Sequence, residues 1–158
     1  MKAASISEIK NELGNCSASR LAALCLQLAK YKKDNKEYLD YLMFESHDKN
    51  GFVTQVKQLV DENFVELNPS TNLYYAKKSL RKILRIINKY IKYIGDKAIA
   101  AELHIYFCKK LKASEIPIEK SARLVNLKAG EIKKINALIS TLHEDLQHDY
   151  LKDLEEVL

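Results

Sequence analysis

The chain has 158 residues, 47% hydrophobic and 30% charged, a balance that argues against intrinsic disorder and suits one domain able to bury its own core. Cys16, Cys25 and Cys108 form no Cys-x-x-Cys pair and suggest neither a disulfide framework nor a thiolate zinc site. No apolar run approaches the roughly 18–20 residues that cross a bilayer, and the N-terminus lacks a leader-like apolar stretch. The expectation is a cytoplasmic protein that does not engage membranes.

Four glycines and two prolines favour helices over strands. The expected fold class is all-α, with seven to eight amphipathic helices packed as antiparallel pairs, an irregular bundle or a solenoid-like array. The chain is read as a single domain over 1–158, with a subdomain boundary at 68–72.

The first helix starts at Ser5 or Ser7 and ends at Gly14, which tolerates the left-handed turn after a helix. A second follows Ser17, with Leu21, Leu24, Cys25 and Leu28 at the spacing of one buried stripe. Asp34 and Glu37 have capping-box spacing and open a third helix through Tyr38, Leu39, Leu42 and Met43. Turn chemistry at 47–51 precedes a fourth helix with Phe52, Val56, Leu59, Val60 and Phe64.

Residues 68–72, Asn-Pro-Ser-Thr-Asn, form the linker candidate. Beyond it, Leu80, Ile83, Leu84, Ile87, Ile91 and Ile94 make a long stripe that ends at Gly95, and Asp96 caps the next helix, which carries Ile99, Leu103, Phe107 and Leu111. Ser114 to Pro117 reads as another start, leading to a short helix up to Val125, a break near Asn126 and a new helix from about Glu131. Apolar positions then continue to Leu154, as one long helix or as two broken between His143 and Asp149; the broken form is preferred.

The net charge of +5 is unevenly placed. Residues 1–76 hold 9 Lys/Arg and 10 Asp/Glu, residues 77–134 hold 16 and 5, and residues 135–158 hold 1 and 6. A basic middle and an acidic tail serve an anionic partner, or neutralise each other by packing.

Lys78, Arg81, Lys82, Arg85, Lys89 and Lys92 fall on the helix face opposite the apolar stripe, with Tyr75, Tyr90 and Tyr93 among them. Cations interleaved with aromatics engage phosphates and bases or an acidic protein; a merely solvated face is the commoner meaning of such a run. A second signal, Ala122 to Ile135, resembles a helix-turn-helix, with Ala122 at the helix crossing, Asn126 in the turn, Leu127 after it, and Ile132 and Ile135 buried. Lys128, Lys133, Lys134 and Asn136 would then face a nucleic-acid groove.

His143-Glu144-Asp145-Leu146-Gln147-His148 departs from the zinc-protease pattern, because the two histidines are five residues apart and point about 140° apart on a helix. Cys25 and Cys108 lie in apolar contexts and read as core residues. The four glycines stand alone, so no phosphate loop is present. No catalytic set, cofactor site or metal site is assembled.

The segments Lys-Glu-Tyr-Leu-Asp-Tyr-Leu (36–42), Val-Asp-Glu-Asn-Phe (60–64) and Lys-Lys-Ser-Leu-Arg-Lys-Ile-Leu-Arg (77–85) resemble a family of bacterial helical proteins described only as a domain of unknown function. The resemblance spans about residues 15–150 and implies an all-helical fold; it implies no activity, cofactor or site residue. The expected function is a non-enzymatic helical interaction module with a basic central helix for an acidic protein partner; the alternative is nucleic-acid binding through 122–136.

Overall fold

The computed structural model describes residues 2–158 and contains eight α-helices and no strand among them. The chain is all-α. It divides into two compact units, Met1–Glu45 and Ser46–Leu158.

In the first unit, α1 (Ile6–Gly14) opens with a capping box: the Glu8 backbone N–H donates to Ser5 Oγ at 3.3 Å, and the Ser5 N–H donates to Glu8 Oε2 at 2.7 Å. Gly14 closes the helix without a left-handed turn; the positive φ expected there does not occur. Ser17 caps α2 (Ala18–Tyr31) by accepting from the Arg20 N–H. The next helix, α3 (Lys33–Asp40), is entered from an extended Lys32 with no side-chain cap. Asp34 is therefore not the cap but a first-turn residue, where its charge favours the helix N-terminus. Helices α2 and α3 pack together, and Asn35 Nδ2 donates to the Leu28 carbonyl at 2.8 Å across their turn. A π-helical turn, Tyr41–Glu45, follows.

The stripe expected to bury α2 is not buried. Leu21 and Leu24 are half-buried, Cys25 is exposed and Leu28 is 62% exposed. Periodicity gave α2 an apolar side, but a two-helix hairpin offers too little surface to cover it.

The second unit holds almost the whole core. Asp48 caps α4 (Lys49–Phe64) through the Gly51 N–H, and Phe52, Val53, Val56, Val60 and Phe64 turn inward. The linker at 68–72 is a turn within this unit, closed by the Thr71 N–H on the Asn68 carbonyl at 3.0 Å. Asn72 then caps α5 (Leu73–Ile94), which buries Ala76, Leu80, Ile83, Leu84, Ile87 and Ile94. Gly95 ends α5 at φ +67°, a left-handed position that favours glycine. Asp96 starts α6 (Lys97–Ala113) by accepting from the Ala98 and Ile99 N–H groups.

Helix α6 is the hub of the unit. It packs against α4 and α5 on one side and against α7 (Ala122–Ile139) and α8 (Glu144–Glu155) on the other. Eight of its residues are buried, among them Leu103, Phe107 and Leu111; each such large apolar side chain contributes about 1.5–3 kcal/mol of burial. The Phe64 and Phe107 rings meet at 5.7 Å and join α4 to α6. The basic helix α5 flanks the hub and keeps one side in water.

Two boundary expectations are corrected. Residues 118–120 form only a 3₁₀ turn, and α7 runs from Ala122 through Asn126 without a break. Leu124, Glu131, Ile135 and Ile139 lie inward along its whole length, so one continuous stripe against α6 outweighs the turn tendency of an exposed Asn126. The later break is real but earlier than 143–149: α7 ends at Ile139, and His143 caps α8 through the Asp145 N–H.

Candidate anion-binding face

Helix α5 carries Lys77, Lys78, Arg81, Lys82, Arg85, Lys89 and Lys92 and no Asp or Glu. At about 100° per residue, the last six fall within an arc of about 100° centred opposite the buried stripe. They span about 21 Å of axis, from Lys78 to Lys92, at 1.5 Å per residue. Lys78, Arg81, Lys82, Arg85 and Lys92 are exposed, and Lys89 is half-buried.

Several cations elsewhere in the unit are answered by nearby carboxylates. Lys57 meets Glu102 at 2.6 Å, Lys110 meets Asp61 at 2.8 Å, and Lys109 meets Asp153 at 3.0 Å and Glu156 at 3.1 Å. Lys112 donates to the Glu156 carbonyl at 2.8 Å. The hydrogen bond from Lys109 to Asp153 and that from Lys110 to Asp61 raise each ammonium above its ordinary pKa. Burial pushes the Asp61 carboxyl up, but its bonds from Lys110 and Tyr106 outweigh this and hold it below the usual range. Asp153 and Glu156 of the acidic tail are thus spent on α6. In contrast, Lys78, Arg81, Lys82, Arg85 and Lys92 form no ion pair among the described residues.

Lys78, Arg81, Arg85 and Asn88 surround Leu84 in an open groove of about 500 Å³. Arg81 and Arg85, one turn apart, present guanidinium forks suited to carboxylate or phosphate oxygens. The aromatics divide by role. Tyr74 and Tyr75 are 55% and 63% exposed and meet edge to face, and the Lys78 ammonium lies 4.6 Å from the centre of the Tyr74 ring. Tyr90 is turned edge-on to both Phe52 and Tyr93, so of the expected Tyr75, Tyr90 and Tyr93 only Tyr75 is an open aromatic surface.

The helix-turn-helix expectation is corrected. Residues 122–136 all lie in α7, with no turn and no second helix. Lys128, Asn136, Lys133 and Lys134 stand at about 0°, 80°, 140° and 240° around one axis and share no face. Three of them are also engaged: Lys128 Nζ donates to the Leu158 carbonyl at 3.2 Å, Lys134 meets Glu131 at 2.7 Å, and Asn136 bonds back to the Ile132 carbonyl. Lys133 is exposed.

A buried polar pair, His104 with Glu131, escaped the sequence reading. Nδ1 of His104 lies 2.7 Å from Oε2 of Glu131, and neither atom has another hydrogen-bond partner among the described residues. The signal was a carboxylate on the inward stripe of α7 and a lone histidine one turn before Cys108. A separate small cavity, lined in part by Lys57, Glu102, Lys109 and Asp153, has its charges matched by the pairs above.

No protein-family model, curated protein or solved structure matches this chain.

Proposed function

We propose that the chain is a non-enzymatic helical interaction module whose α5 ridge binds an acidic segment of a partner protein. The carrying observation is a difference in charge pairing: Lys57 on α4 and Lys109 and Lys110 on α6 are answered within the unit, whereas Lys78, Arg81, Lys82, Arg85 and Lys92 on the outer side of α5 are exposed and form no ion pair among the described residues. A ridge of one sign speeds encounter with the opposite sign and sets specificity more than affinity. Arg81 and Arg85 bind carboxylates in pairs of hydrogen bonds.

The test is fluorescence polarisation with a Glu/Asp-rich peptide and with single-stranded and duplex DNA, each at low and at moderate salt. The peptide is expected to bind at low salt and to be released by salt, and R81E/R85E is expected to weaken it at least about tenfold. Absence of peptide binding at low salt overturns the reading. Tighter binding of either DNA, lost in R81E/R85E, replaces it with a phosphate-binding role for the same ridge.

A further inference from the structure

The first unit buries little: Tyr41 in the π turn is its one buried apolar side chain among the described residues. None of α1, α2 or α3 contains a buried residue. Units of about 40 residues usually hold together by disulfides, metal or oligomerisation. Cys16 and Cys25 are free thiols, and no cluster able to hold a metal ion occurs among the described residues. Among those means, oligomerisation is the one for which the unit carries surfaces.

The α2–α3 hairpin has an apolar groove on each side of its seam, and Ala29 and Leu39 line both. The π turn contributes to both. Leu42 lines one groove, and Met43 and Phe44 line the other. The second groove, of about 390 Å³, is lined by Leu26, Met43 and Phe44 together with Lys30, Lys36 and Asp40. Leu26, Met43 and Phe44 are 56%, 64% and 59% exposed, more than isolated surface apolar residues account for.

The same chain carries an element of matching form. Every residue of α1 is exposed, and Ile6, Ile9 and Leu13 fall at i, i+3 and i+7, the anchor spacing of a helix laid in a groove. Its charges are Glu8, Lys10 and Glu12, mostly opposite in sign to the Lys30, Lys36 and Asp40 of the groove. A strongly acidic partner, suited to α5, gains little from a groove that presents both signs.

We infer that α1 of one copy docks through Ile6, Ile9 and Leu13 into the groove lined by Leu26, Met43 and Phe44 of a second copy, and that the exchange is reciprocal. Two identical seats related by a two-fold axis close the assembly and leave no free seat to propagate a chain of copies. The occupant is present at equal concentration with its groove, as a cover needed for folding must be. The α5 ridge takes no part.

Sedimentation equilibrium of the full chain at micromolar concentration tests this, with far-UV circular dichroism to verify helicity. The wild type is expected at twice the 18.2 kDa chain mass. Ile9→Glu, which spoils the anchor, and Met43→Glu, which spoils the groove, are each expected at the single-chain mass with helicity retained. Their equimolar mixture rebuilds one seat, from the intact α1 of one and the intact groove of the other, and is expected to regain two-chain species. R81E/R85E is expected to remain dimeric, which separates this inference from the function proposed for α5. A single-chain wild type, including one in which α1 folds onto its own groove, overturns the inference. So do open-ended higher species, a dimer that survives both single substitutions, or a mixture that stays single-chain.

Discussion

Glu131 on α7 and His104 on α6 hold a 2.7 Å contact between side chains only 7% and 2% exposed, and Lys134 reaches the other oxygen of Glu131 at 2.7 Å. A charged group so far from water persists because partners replace its hydration. Removing one partner leaves the other uncompensated. Glu131→Leu is expected to cost about 3–5 kcal/mol, and the double variant His104→Leu/Glu131→Leu much less than the sum of His104→Leu and Glu131→Leu taken singly. Urea unfolding of the four chains measures the coupling; additive effects would show that the two side chains do not stabilise each other.

The same carboxylate gives stability a direction with pH. Burial pushes Glu131 up, but the bonds from His104 and Lys134 prevail and hold it below its ordinary 4.5. A group depressed on folding stabilises the fold above its unfolded pKa and loses that contribution as pH falls through its folded value. The stability gap between wild type and Glu131→Gln is therefore expected to narrow as pH falls below about 4.5. At the alkaline end, the raised Lys109 and Lys110 act oppositely: their contribution is complete below the ordinary lysine range and fades as pH rises through their folded values. Urea midpoints across the pH range read both arms.

Cys108 is buried, and its surroundings, together with the charge of Glu131, push its thiol up to about 12. Thiolate is the reactive form. Cys25 is exposed and Cys16 half-buried, so iodoacetamide is expected to label these two natively and Cys108 only in denaturant. Intact mass before and after urea counts the labels; native labelling of Cys108 would place it outside the core.

Two glycines are expected to respond oppositely to alanine. Gly95 adopts φ +67° with open space around it, so Gly95→Ala meets only backbone strain and is expected to cost about 1 kcal/mol. Gly130 lies within α7, where an added Cβ meets nothing within 4 Å. Gly130→Ala is expected to gain roughly 0.5–1 kcal/mol. Thermal unfolding of both variants gives the signs.

Local chemistry was legible where the deciding partners are close in sequence. Ser5, Ser17 and Asp96 cap helices because the N–H groups they accept from lie two or three residues onward, and the α5 stripe and its opposite basic face follow from helical periodicity alone. Those residues determine an all-helical chain with one strongly cationic helix. What covers each apolar side was not in the pattern: Leu28 and Phe107 occupy similar stripes, yet one is exposed and the other sealed, because burial belongs to the neighbours and not to the helix. The continuity of α7 through Asn126, the pairing of His104 with Glu131, and the neutralisation of α6 by α4 and α8 join residues far apart in the chain. Only tertiary packing, which fixes which surfaces and charges meet, decided them.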